Sequence, residues 1–367
     1  VTKLHVVQAE YGDCLILESG VGTNLTTVLI DGGPYQAFEK HLKPALQKLP
    51  IKGKLDLVVL SHIDNDHIIG LCDLLEELKT KREEGSKELV KISKLWHNSF
   101  NDLVQTDEDP NKFLKNFFPT MNFMSTEEQK KVTSIITKGF QQARDLSLLA
   151  KSLKIPINPE YDKLVLVENV PKIIKLKNMT FRILGPTKKN LEKLREEWKN
   201  WFDKKKLNEN LEFDLLQILD KSIPNLSSIM FLVEGKDKKI LFTGDGSGDD
   251  IIEVLTRNTM LDNQGKFHVD ILKVPHHGSD RNVSREFFNT VIADYYVISA
   301  NGRDDNPSID TLKWIIESGN KTKKSKKIVF TNNTPNIVKI IKEYPQKKYN
   351  YECIFLESKK DFLTLSL

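Results

Sequence analysis

The chain has 367 residues, 39% of them hydrophobic, and a formal net charge of +4, which allows a large buried core and argues against a disordered or strongly polyelectrolyte protein. Its three cysteines, Cys14, Cys72 and Cys353, stand too far apart for a disulfide framework, so a reducing cytoplasm is the expected location. No run of about eighteen apolar residues is present to cross a membrane, and residues 1–7 lack the regions of a signal peptide.

In chain order, apolar runs at 4–7, 14–18 and 26–30 predict three strands, the third stopped by the turn chemistry of Asp31-Gly32-Gly33-Pro34. A short helix over 38–48 leads to a strand over 55–60 and the segment Ser61-His62-Ile63-Asp64-Asn65-Asp66-His67. Beyond it, Leu71, Leu74, Leu75 and Leu78 fall at helical spacing, and 94–96 reads as a strand end. From about 100 to 224 helical patterns dominate. They include 125–153, opened by the capping-box candidate Ser125-Thr126-Glu127-Glu128, and a charged helix over 188–206. Short strands are expected there at 163–167 and 180–184. This stretch reads as a helix-rich elaboration of one domain spanning residues 1–367. Strands return at 228–233, 239–243, 271–274, 295–299, 327–331, 351–356 and 362–365, with helices at 249–257, 284–291 and 308–318. The alternation suggests two sheets covered by helices, an α/β fold.

Three strand ends carry chemistry. His62, Asp64, Asp66 and His67 place four metal-competent side chains within six residues, and two imidazoles with two carboxylates suit Zn²⁺ or Mn²⁺ better than Ca²⁺. Read alone, the same segment also fits a capped loop with Asp66 as N-cap and solvated histidines. Thr243-Gly244-Asp245 and His276-His277-Gly278-Ser279 repeat the strand-end pattern, and three such loops together predict a metal site.

These motifs resemble the metallo-β-lactamase superfamily, and more narrowly its branch containing the metallo-hydrolase domain of the ComEC competence proteins. That branch carries a Ser-His-x-Asp-x-Asp-His-x-x-Gly loop, here Ser61 to Gly70, with a Thr-Gly-Asp strand end and a His-His-Gly-Ser loop. The resemblance covers most of the chain except the helical stretch. It implies an αββα sandwich with a mainly helical insertion, and one or two divalent metals, Zn or Mn. One metal would be held by His62 and Asp64, the other by Asp66, His67 and His276, with Asp245 bridging. The sequence departs from the superfamily at Asp64, where a second His is usual, and at Asn225, where a further His falls. It departs from the branch at Asn306-Pro307, where His-Pro is usual.

Asp66 is placed to orient a metal-bound water or take its proton. Alternation at a strand end would turn His276 toward the metals and His277 elsewhere, to a substrate oxygen or a loop hydrogen bond. His97 fits a structural, substrate-lining or ligand role. Asp13 and Asp31 are expected to tie turn amides, and His5, His41 and His268 to be ordinary strand or surface residues. Ser279, Arg281 and Asn225 are the candidate substrate contacts. The lysines of 204–206 and 321–327 would either draw in a polyanion or keep the surface soluble.

A hydroxide generated at a divalent cation attacks phosphodiesters, thioesters, lactones and amides alike. The leading expectation is a nuclease cleaving DNA. The alternatives are a phosphodiesterase or esterase on a small molecule or polymer, and a metal-poor binding module that docks a partner protein through the helical stretch. No membrane partner is expected.

Overall fold

The computed structural model describes residues 2–98, 141–169, 173–194, 196, 226–318 and 325–367. Its first strands are β1 (Thr2–Val7), β2 (Leu15–Ser19), β3 (Thr26–Ile30), β4 (Lys54–Leu55), β5 (Leu57–Val59), β6 (Lys91–Ile92) and β7 (Leu95–Trp96). The later ones are β8 (Ile173–Leu176), β9 (Met179–Gly185), β10 (Met230–Gly235), β11 (Lys238–Phe242), β12 (Phe267–Lys273), β13 (Val291–Ile298), β14 (Lys326–Phe330), β15 (Tyr351–Phe355) and β16 (Phe362–Ser366). They form one sheet of order β16-β1-β2-β3-β5-β7 and a second of order β15-β14-β13-β12-β11-β10-β9-β8, with β4 and β6 paired beside them.

Each sheet is antiparallel at one end and parallel at the other. Parallel neighbours need long crossovers, and helices supply them. The helices are α1 (Lys43–Lys48), α2 (Asn65–Glu83), α3 (Gln141–Ser152), α4 (Gly248–Arg257), α5 (Arg285–Thr290), α6 (Ile309–Glu317), α7 (Pro335–Glu343) and α8 (Gln346–Tyr349). All but α3, which lies between β7 and β8 of different sheets, fall in crossovers between parallel neighbours. Ser247, Ser284, Ser308 and Thr334 cap α4 to α7, each side chain accepting a first-turn N–H.

Successive side chains of a strand point to opposite faces, and here both faces are buried. Leu57 and Val59 of β5 join Phe181, Phe231 and Ile271 between the sheets. Val58 and Leu60 turn the other way, against Leu71, Leu74 and Leu75 of α2 and Leu146 of α3. Two-sided burial explains why these strands read as continuous apolar runs. The result is an αββα sandwich, as the motifs imply.

The structure differs from the expected elements in three places. The 38–48 helix begins as a π-helical turn, Phe38–Leu42, before α1. Residues 163–167 form no strand: Val165 bonds through its N–H and C=O to the Asn98 side chain, and Val167 N–H to Pro186 O. The strands β6 and β8 and the helices α7 and α8 have no counterpart among the expected elements. Within the stretch 100–224, α3 and the helical residues 188–194 are described. The remainder of the two expected helices, Asn225, and the lysines at 204–206 and 321–324 lie outside the described residues. Among the described residues no helix is long and apolar enough to cross a membrane.

Candidate metal centre

The three strand-end loops meet at one edge of the sandwich. Leu60 N–H donates to Trp96 O and Ile229 N–H to Ser61 O, which fixes the chain beyond β5 against both sheets. Gly244, beyond β11, has φ +48, and a Cβ there would lie 2.9 Å from that of Ser61. Glycine therefore serves both the left-handed backbone and the close approach of the two loops. His276 N–H donates to Gly244 O and brings in the third loop.

Asp245 lies at the centre, almost fully buried. Its Oδ1 is 3.5 Å from His67 Nε2, and its Oδ2 is 3.8, 3.7 and 3.5 Å from the Nε2 atoms of His62, His276 and His277. Asp66 Oδ2 is 3.2 Å from His277 Nε2 and 3.7 Å from His67 Nε2, while Asp64 Oδ2 is 3.9 Å from His62 Nε2. Asp64 occupies the N-cap position of α2, but its side chain makes no capping hydrogen bond, and Asp66 sits inside the first turn. The capped-loop alternative does not describe this geometry.

The opposite nitrogen of every ring is held. His67 Nδ1 donates to Asp31 Oδ2 at 2.9 Å, and His277 Nδ1 to Ser299 O at 2.9 Å. His276 Nδ1 is 2.5 Å from Asn282 Oδ1, and the same Asn282 side chain donates to Asp245 O. Ser61 Oγ donates to Asp31 Oδ2, which leaves it to accept from His62 Nδ1 at 3.0 Å. All four imidazoles thus present Nε2 inward, the tautomer that second-shell partners impose on metal-binding histidines.

The donor set fits a metal. Nε2 of His62, His67 and His277 and Oδ1 of Asp245 are buried with no hydrogen-bond partner, an arrangement that native proteins avoid unless a ligand completes it. Ligand atoms around an ion with bonds near 2.1 Å stand about 3.4 Å apart in a tetrahedron, and the spacings above bracket that value.

Electrostatics points the same way. Burial opposes charge on His67 and His277, but Asp245 and Asp66 outweigh it at His67, which is raised well above the usual histidine range. Asp245 and Asp13 likewise lift His277 to about 10. Burial and His67 push His62 well down. Asp245 is held far below the usual carboxylate range despite its burial, because His277 and His67 adjoin it. Protons and cations compete for these nitrogens.

The structure brings His62, Asp64, Asp66, His67, Asp245, His276 and His277 together. The expected alternation of the double histidine does not hold, because neither residue is extended: φ is +47° at His276 and +55° at His277. Both rings therefore reach Asp245. His277 is the buried one, against Asp66 and His67, and His276 is half-buried. Ser279 is buried, its Oγ accepting from Arg281 N–H, and Arg281 is exposed. His97 is buried and engages Asn158 through its backbone. His5 is buried between Thr364 and Glu18, whereas His41 and His268 pair with Asp361 and Asp262.

Several residues escaped the sequence reading. Asp31 does more than tie an amide, since it orients both Ser61 and His67. Asp13 pairs with the buried Lys273. Asp13, His67, Asp245 and His277 can each offer one ligand atom within 4.8 Å of the others. Asp13, however, meets the Nδ1 edges of both rings, behind the face that Asp66 meets. A charged residue inside Ile271-Leu272-Lys273-Val274 was the available signal for Lys273. Asn282 and Ser299 carried none. At the rim, the Arg303 guanidinium lies 4.3 Å over the Tyr11 ring. Tyr11 adjoins Gly12, where a Cβ would lie 1.9 Å from Asp66 O.

The sequence model of the metallo-β-lactamase superfamily matches residues 9–302, a span that includes every member of the cluster. No curated protein sequence matches the chain. Similar solved structures include the metallo-β-lactamase fold protein YhfI from Bacillus subtilis, at 10% identity and TM-score 0.42, covering 100% of this chain and 99% of that one. Zinc-bound PqqB from Methylobacterium extorquens follows at 9% identity and TM-score 0.41, covering 100% of both chains. A diphosphatase of the PhnP family has 12% identity and TM-score 0.40, covering 100% and 98%.

Proposed function

Because the chain belongs to the metallo-β-lactamase superfamily of metallo-hydrolases, we propose that it is a ComEC-like metal-dependent phosphodiesterase that cleaves DNA. The observation that carries the reading is the convergence of four Nε2 atoms on Asp245, with Asp64 and Asp66 beside them. His62, Asp64 and Asp245 would hold one divalent ion, and Asp66, His67, His276 and His277, again with Asp245, would hold the other. Charge supports two ions. Asp13, Asp31, Asp64, Asp66 and Asp245 bring five negative charges and Lys273 one positive, a net of −4 with neutral histidines that two divalent cations cancel. Mixed imidazole and carboxylate ligation suits Zn²⁺ or Mn²⁺.

Ions held there would supply positive charge that lowers the pKa of water and offsets the charge developing on the attacked phosphate. The chain's own residues do the rest. Asp66 Oδ2, partly exposed, is placed to orient the attacking water and accept its proton. His277, tied through Nδ1 to Ser299 O, keeps its Nε2 turned toward Asp66 and Asp245. Arg281 and Arg303 offer exposed guanidinium groups to the phosphates, and Ser279 positions Arg281. Lys326 takes no part in such a patch. It is buried, its Nζ donating to Ile315 O, Ile316 O and Ser318 O at the end of α6.

Binding of fluorescent DNA in Ca²⁺, followed by titration with salt, separates the readings. Affinity that falls steeply with salt supports a DNA substrate. Turnover of bis-p-nitrophenyl phosphate without DNA affinity would move the assignment to a small phosphodiester.

A further inference from the structure

Lys273 closes β12, four residues before His277, and its side chain is buried at an otherwise apolar strand end. Its ammonium pairs with Asp13 Oδ2, from the turn between β1 and β2, and lies 3.4 Å from Gly244 O. A lysine there gives up hydration and rotamer freedom, and it persists only where it is paired. Asp13 is equally buried, and its Oδ1 has no hydrogen-bond partner. That oxygen is 3.6 Å from His277 Nδ1, and Oδ2 is 3.9 Å from His67 Nδ1. One carboxylate therefore stands behind both imidazoles whose Nε2 atoms meet Asp66 and Asp245. The close acceptors of those rear nitrogens are Ser299 O and Asp31 Oδ2, so Asp13 adds charge rather than a further short bond.

We propose that Asp13 and Lys273 are a positioning pair for the metal centre. Asp13 polarises the Nδ1–H groups of His67 and His277, and Lys273 keeps that carboxylate behind the rings and out of the ligand set. The inference rests on the cluster being a metal centre. A negative charge behind an imidazole makes the far nitrogen a stronger ligand, while Ser299 O and Asp31 set the ring orientations. Lys273 does the complementary work. Without its charge, Asp13 would be an anion free to turn toward the cations. The pair also joins the β1–β2 turn of one sheet to β12 of the other.

The test is the double variant Asp13→Asn/Lys273→Met, which removes both charges at once and leaves no unpaired buried ion. Zinc affinity is measured by competition with a chromophoric chelator, the visible spectrum with Co²⁺ loaded, and melting in EDTA. The double variant should melt with the wild type in EDTA yet bind zinc about 10–100-fold more weakly, with an altered Co²⁺ spectrum. Lys273→Arg, which keeps the cation, should retain affinity within a few fold. Wild-type affinity and spectrum in the double variant would overturn the proposal, as would an equal loss in Lys273→Arg. Failure of the wild type itself to take up zinc or Co²⁺ would overturn the metal-centre reading beneath it.

Discussion

Acid should destabilise this protein through His97 in a way that one substitution removes. The ring is buried, and burial, against a weaker backbone hydrogen bond at Ala143, pushes its pKa from 6.5 down to about 4. The unfolded chain takes up a proton near pH 6.5, while the folded chain resists until about pH 4. The neutral ring therefore contributes full stability above pH 6.5, and that contribution drains away as the pH falls toward 4 and then levels off. The span of 6.5 to 4 corresponds to about 3 kcal/mol at ~1.36 kcal/mol per pH unit. Urea unfolding of the metal-free wild type and of His97→Leu, from pH 7.5 to 4, isolates the effect by difference. The backbone bonds to Asn158 survive the substitution, and every other titrating group is common to both proteins. The wild type should lose about 3 kcal/mol more than the variant across that range. Parallel curves would refute the assignment of a buried, neutral imidazole.

Metal should stabilise the fold. At free Zn²⁺ or Mn²⁺ about a hundred times Kd the gain is ~2.7 kcal/mol, or a melting temperature raised by about 3 to 4 °C at the usual unfolding entropy for this length. Because protons compete at His67 and His277, the rise should be smaller at pH 5.5 than at pH 7.5, which scanning fluorimetry reads directly. Lys326→Met should cost about 2–4 kcal/mol, since three carbonyls at the end of α6 lose one charged donor. The same variant should leave metal affinity unchanged, and equal stability would show that the clamp contributes nothing. Arg303→Ala should raise KM for phosphodiesters by about tenfold or more, the value of one charge-assisted contact, without altering the metal-induced melting shift. An unchanged KM would remove Arg303 from the substrate path.

The sandwich and the ligand-bearing loops were legible because they rest on local signals. Runs such as Leu57-Val58-Val59-Leu60 announce strands buried on both faces, and histidines with carboxylates at three strand ends announce a shared volume. What the sequence hid is long-range or conformational. The left-handed backbone of His276 and His277 turns both rings inward, and nothing in His-His-Gly-Ser specifies it without the loop's contacts to Gly244 and Pro307. The apolar stretch 163–167 looked like a strand because its residues are buried, but its hydrogen bonds go to Asn98 and Pro186. Asn282 and Ser299 act on residues 37 and 22 positions away, where periodicity carries no information. Lysine-rich sequence misled in part, since Lys326 turned inward to bind the end of α6.

The most direct measurement is cleavage of linear, circular and single-stranded DNA by the metal-loaded protein in Mn²⁺ or Zn²⁺, beside His67→Ala and Asp245→Ala. The account predicts cleavage by the wild type and its loss in both variants, whose substitutions remove the ring and the carboxylate at the centre of the cluster. No cleavage of any DNA by wild-type protein with confirmed metal occupancy, or cleavage that survives in both variants, would contradict it.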